Sequence, residues 1–185
     1  MSDENKVKIE AVSPYSDNSL IESQEIIGFT CGAFDLLHAG HAMMLEEARN
    51  QCDYLVVGVQ TDPSIDRPEK NSPVQSFEER LTMVKAIKWV DEVCTYDTEE
   101  SLVRLLEKLS PDIRVVGADW IGKKFTGHEL DIKIYFNSRD HGWSTSDLRT
   151  RVFNAELEKK NAKSRKEFAE NSLANLDMAD KKRSK

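Results

Sequence analysis

The chain has 185 residues, 39% hydrophobic and 32% charged, with 26 basic against 33 acidic side chains and a net charge of -7. That is one domain's worth of sequence, with little room for a second. No apolar run approaches the roughly 20 residues that span a bilayer, and the acidic balance excludes a broad electropositive nucleic-acid surface while leaving room for a local anion site.

The first residues, Met1 to Lys8, are polar and lack an apolar export segment. The three cysteines, Cys31, Cys52 and Cys94, are odd in number and share no metal-ligand spacing. Both features lead us to expect reduced thiols in a cytoplasmic protein. Residues 1–24 carry two lysines against five acids among Ser and Asn, the composition of a disordered arm. Residues 25–151 hold all three tryptophans and form the expected domain. Residues 152–185 carry nine basic and six acidic side chains and no Pro or Gly, which suits a charged, frayed helix. Their apolar residues (Phe153, Leu157, Phe168, Leu173 and Leu176) are too few for a coiled-coil seam.

Within the middle segment, residues 25–31 are apolar and β-branched and predict a buried strand. Residues 41–50 are rich in Ala, Met, Leu and Glu at helical spacing, and residues 53–60 predict a second strand. A helix over residues 77–89 is opened by Ser76 with Glu79 three positions on, a capping-box pattern. A short strand follows at 92–95, then a helix over 99–109 that stops before Pro111. Residues 113–117 and 132–136 predict two more strands, and 144–153 starts a last helix. Alternation of this kind predicts a Rossmann-like α/β fold: a doubly wound, parallel five-stranded sheet with helices on both faces. Ligands in such sheets sit at the carboxyl ends of the strands.

The end of the first predicted strand reads Cys31-Gly32-Ala33-Phe34-Asp35-Leu36-Leu37-His38-Ala39-Gly40-His41. A helix start offers unpaired N–H groups and partial positive charge, which suit a phosphate. Gly40 lets a backbone approach a ligand closely, and imidazoles donate to phosphate oxygens. Far downstream, Ser144, Thr145 and Ser146 bring three hydroxyls to another predicted helix start, with Arg139 just before them. Two such starts at strand ends could hold a triphosphate from two sides.

The stretch from Phe34 to His41 resembles the H-x-G-H signature of the cytidylyltransferase-like nucleotidyltransferases. Arg139-Asp140-His141-Gly142-Trp143-Ser144-Thr145-Ser146 is similar to the R-T-x-G-x-S-T-T element of glycerol-3-phosphate cytidylyltransferases, and Gly117-Ala118-Asp119-Trp120-Ile121-Gly122-Lys123 to their G-D-D-W-x-G-K segment. The likeness covers residues 25–151 and neither tail.

The resemblance implies attack of a small phosphomonoester, such as glycerol-3-phosphate, on the α-phosphorus of CTP, with pyrophosphate leaving and magnesium carried in on the nucleotide rather than by protein ligands. It implies that His38 and His41 contact the phosphates at the reacting centre and that Ala33 and Phe34 lie beside the nucleotide. Asp119 would sit at the base and ribose end. Arg139, Gly142, Ser144, Thr145 and Ser146 would hold the outer phosphates. Lys70 stands one position off a family lysine and is either the α-phosphate ligand or a solvated surface charge. Arg80 matches a family arginine near the site, and Lys123 and Lys124 are either further phosphate partners or exposed charge. Lys88 and Trp89 fall near the family's dimer contact, although Trp89 fits a plain core equally well, and a homodimer is expected.

The acceptor-side lysine of the glycerol-phosphate enzymes has no counterpart here. The acidic Thr98-Glu99-Glu100-Ser101-Leu102 in its place would suit a cationic acceptor such as phosphoethanolamine or phosphocholine. Two other readings stay open. One is adenylyl transfer to a sugar phosphate or flavin nucleotide, because H-x-G-H does not choose the base. The other is a non-catalytic nucleotide-binding regulatory domain, against which the intact His38, His41 and Arg139 argue.

Overall fold

The computed structural model describes residues 25–183, with side chains through Phe168. The expected disordered arm, residues 1–24, lies outside the described residues. Five strands, β1 (Ile27–Gly32), β2 (Tyr54–Gln60), β3 (Glu92–Tyr96), β4 (Ile113–Gly117) and β5 (Lys133–Asn137), form one sheet in the order β3-β2-β1-β4-β5. Every pairing is parallel. The helices are α1 (Ala39–Arg49), α2 (Phe77–Lys85), α3 (Glu99–Leu109) and α4 (Thr145–Arg183).

Strand β2 shows why the sheet is covered on both sides. Its apolar run is buried from Leu55 through Gln60, the pattern of a central parallel strand. Leu55, Val57 and Val59 share a cluster with Leu45 and Ala48 of α1 and Val84 of α2. Val56, one register step over, packs with Phe29, Leu102 and Leu106, which belong to the α3 side. Leu45, Leu55 and Leu106 are fully buried, and each such side chain contributes about 1.5–3 kcal/mol of transfer free energy.

The chain winds outward from β1 to β3, crosses back to β4 and continues to β5, so its direction reverses between β1 and β4. Those neighbours are registered only at Gly28–Ile113 and Phe29–Arg114. One residue further, the Thr30 hydroxyl donates to the Val115 carbonyl at 3.1 Å. Beyond that the strands part, which opens a crevice at the carboxyl ends of the central strands.

Four strands begin or end one or two residues from the sequence reading, and three helix boundaries differ as well. Helix α1 begins at Ala39 because His38, not a later residue, caps it. Helix α2 stops at Lys85 instead of continuing to Trp89, and Ile87 to Val90 form tight turns that lead into β3. With no Gly or Pro at the stop, the pattern carried no signal for it. Helix α4 continues through the tail to Arg183, and its side chains from Arg151 to Phe168 are all exposed. Among the described residues, no helix is long and apolar enough to cross a membrane.

Candidate active site

After β1 the chain turns through Phe34 and Leu36, two non-glycine residues at φ +52° and +48°. That left-handed backbone is costly for such side chains and needs external support. Asp35 supplies it. Its Oδ1 accepts from the backbone N–H groups of Val74 (2.9 Å) and Gln75 (3.0 Å), and its Oδ2 accepts from Arg149 of α4 at 2.6 Å. Burial alone would raise the Asp35 carboxyl, but the Arg149 guanidinium and the two N–H donors outweigh it and hold the group below its ordinary value. Behind the turn, the Arg80 side chain is almost wholly buried and donates to the carbonyls of Ala33, Gln60 and Thr61. It fastens the ends of β1 and β2 and does not line the cleft.

The two histidines of the first motif cap their own helix reciprocally. His38 Nδ1 accepts from the Gly40 N–H at 3.1 Å, and His41 Nδ1 accepts from the His38 N–H at 3.3 Å. A ring nitrogen that accepts cannot also carry a proton, so each neutral imidazole keeps its hydrogen on Nε2, free to donate outward. Burial, followed by the nearby His38 and Arg139 charges, pushes His41 down to about 4. Burial and the neighbouring His141 lower His38 as well. Gly40 is buried, and a β-carbon there would lie 2.6 Å from the His141 ring and 3.0 Å from that of His38. Glycine is therefore what allows imidazoles to close over the helix start.

The second turn comes from the opposite end of the domain. Arg139, at φ +49°, pairs with Asp119 at 2.9 Å. Both side chains are about half exposed, so the arginine is restrained only loosely. Ser144 caps α4 by accepting from the Asp147 N–H at 3.1 Å. The Thr145 hydroxyl donates to the Asp35 carbonyl at 3.2 Å and stands 3.4 Å from His38 Nε2. The two motifs thus meet in one place.

They share a cleft of about 850 Å³. Ala33, Phe34, His38, His41, Lys70, Asp119, Arg139, Ser144, Thr145 and Ser146 all line it. Gly142 does not, and it has open space around it. Lys123 is exposed outside the cleft, and its neighbour Lys124 lines it instead. Lys88 lies over the Trp89 ring at 4.7 Å, away from the cleft.

On the α3 side, the cleft has a polar wall that the sequence reading missed. Arg67 pairs with Glu99 at 3.0 Å, Thr126 donates to Glu99, and the buried Arg114 donates to the Thr126 carbonyl and lies over the Phe125 ring. Glu99 is therefore neutralised within the protein, and Glu100 is exposed and paired with Arg104. The acidic stretch offers no free carboxylate patch, which removes the argument for a cationic acceptor. Other missed contributors are Arg149, which closes the Asp35 network, and His141. Arg149 could have been suspected from its place one helical turn past Thr145.

The cytidylyltransferase-like family model matches residues 29–151. Among curated relatives, the bifunctional protein HldE of Helicobacter pylori (strain HPAG1) is 37% identical over 131 residues, which is 70% of this chain and 28% of the relative. HldE of Bradyrhizobium sp. (strain ORS 278) is 42% identical over 105 residues, 56% of this chain and 21% of the relative. The chain thus matches less than a third of the length of these relatives. Among solved structures, the lipopolysaccharide core biosynthesis protein from Thermoplasma volcanium GSS1 is 29% identical with a TM-score of 0.53, over 62% of this chain and 97% of that one. With both motifs on one parallel-sheet crevice and the family match spanning β1 to the start of α4, the chain belongs to the cytidylyltransferase-like family of nucleotidyltransferases.

Proposed function

We propose that this cleft transfers a nucleoside monophosphate from a nucleoside triphosphate to a small phosphomonoester. The observation that carries the reading is the convergence of the two turns, with Thr145 Oγ1 3.4 Å from His38 Nε2. An oxygen of the acceptor phosphate attacks the α-phosphorus. The bond from that phosphorus to the bridging oxygen breaks, and pyrophosphate leaves with the electron pair. No enzyme nucleophile is required, so the residues act by positioning and charge stabilisation.

The Nε2–H groups of His38 and His41 donate to oxygens at the reacting phosphorus, where negative charge builds up. Arg139, released from Asp119, grips the outer phosphates together with Ser144, Thr145 and Ser146. Lys70 reaches the α-phosphate from the loop before α2. Magnesium would enter bound to the nucleotide and supply further charge neutralisation there.

CTP is the first candidate donor, on the Asp119-Trp120 segment and the run of three hydroxyl residues. A second reading, adenylyl transfer to a sugar phosphate, is favoured by the identity with HldE and with a lipopolysaccharide core protein. Pyrophosphate release, measured with each triphosphate against a panel of glycerol, sugar and amino-alcohol phosphates, separates the two. Silence with every pair would overturn the enzymatic reading in favour of a binding domain. A homodimer through the face of Lys88 and Trp89 belongs to the same proposal, and sedimentation of wild type and Trp89→Ala checks it.

A further inference from the structure

His141 falls at a variable position of the second motif and is assigned no role by the resemblance. Its place in the fold is unusual for a loop histidine. The ring packs against Gly40 at the first turn of α1, close enough that a β-carbon there would lie 2.6 Å from Cε1. Its other neighbour is Trp143, stacked at 5.4 Å between centroids and 26° between planes, which covers one face of the ring. Nδ1 is shut off from solvent and has no hydrogen-bond partner among the described residues.

Buried polar atoms are nearly always paired, so such a nitrogen is a group still to be satisfied. The other unpaired side-chain nitrogens, on Arg67, Arg80 and Arg149, belong to guanidinium groups already bonded through their outer nitrogens. The His141 ring makes no hydrogen bond at all among the described residues. It also lines the cleft between the two turns, with Arg139 two residues before it and the Ser144 cap three residues after.

We propose that His141 is a third phosphate-contacting imidazole: on loading, the ring turns out from the first turn of α1, and its Nδ1–H, closed off from solvent in this structure, donates to an outer phosphate oxygen of the bound triphosphate. The inference rests on reading the cleft as a triphosphate site. It adds a residue that makes the grip on the departing pyrophosphate denser than the shared motifs require. A proton on Nδ1 has no acceptor until that oxygen arrives, so the contact is made only in the loaded cleft.

Calorimetric titration of the full chain with inorganic tripolyphosphate tests this without reference to base or acceptor. His141→Ala should weaken binding roughly tenfold to a hundredfold, as expected for a hydrogen bond to a charged group. His141→Asn places an N–H near the position of Nδ1 and should stay within a few-fold of wild type. His141→Gln, which reaches toward the position of Nε2, should behave like the alanine variant. In turnover, KM for the triphosphate should rise while KM for the acceptor is unchanged. Wild-type affinity in the alanine variant, or equal losses in the Asn and Gln variants, overturns the proposal and leaves the transfer reading standing. Should the alanine variant fail to fold, the Asn and Gln pair still decides. Tripolyphosphate binding that depends on His141 in a chain that turns over no triphosphate would sink the transfer reading and keep this one. No polyphosphate binding by the wild type overturns both.

Discussion

The two turns that meet in the cleft are built to different standards. The β1–α1 turn is fixed by a dense set of bonds: two histidines cap one helix reciprocally, Asp35 binds two backbone N–H groups, and Arg80 ties three carbonyls from behind. The β5–α4 turn has one serine cap and an arginine that pairs, among the described residues, with a half-exposed aspartate. On the proposed transfer reading, the first turn presents fixed donors at the reacting phosphorus, which costs no reorganisation as charge develops. The second offers long side chains that can exchange partners as a triphosphate enters and pyrophosphate leaves.

This contrast can be broken or sharpened. The largest effect is expected at the fixed turn: His38→Ala or His41→Ala should lower kcat by about 10²–10³-fold, the usual loss of a preorganised donor, with circular dichroism unchanged. Near-normal rates would take the pair out of the mechanism. Arg139→Ala should raise the KM for triphosphate roughly 10–100-fold, while its melting temperature barely moves, because exposed ion pairs contribute about 0–1 kcal/mol. Asp35→Asn should reverse that split and cost about 1–3 kcal/mol of stability in urea titration, since it sets an amide NH2 against the Arg149 guanidinium in place of an acceptor. Equal stability losses in the Arg139 and Asp35 variants would erase the distinction between the turns.

Acid should act on the fixed turn as well. His41 is neutral in the folded state with its value depressed to about 4, so its contribution is complete above about 6.5 and is lost as pH falls toward 4. Asp35 is held below its ordinary carboxylate value, so its contribution persists above that value and disappears only at still lower pH. Urea midpoints at pH 7 and pH 4.5 should therefore fall for the wild type and fall less for His41→Asn. Deletion of residues 1–20 should do least, leaving turnover unchanged; a dead truncation would make the arm part of the site.

Much of the architecture was legible because each element carried its own punctuation. Ser76 and Glu79 announced α2, Pro111 ended α3, and the unbroken apolar run of β2 marked a strand covered on both faces. The end of α2 was not legible, because the chain leaves the helix to enter β3 for tertiary reasons and not because of a breaking residue. At the site, local motifs named the histidines and the hydroxyl run. What escaped was long-range: Asp35 meeting Arg149, and Arg67 and Thr126 converging on Glu99. Pairings across 27 to 114 positions leave no periodic trace in a single sequence.

The bond between residues 35 and 149 also has a bearing on biogenesis. As a ribosome lengthens this chain, the left-handed bend near its beginning emerges early and stays without its counter-charge until nearly all of the domain has been translated. Competence to bind would then be gained late and in a single step, when the closing helix docks onto a sheet that is already in place.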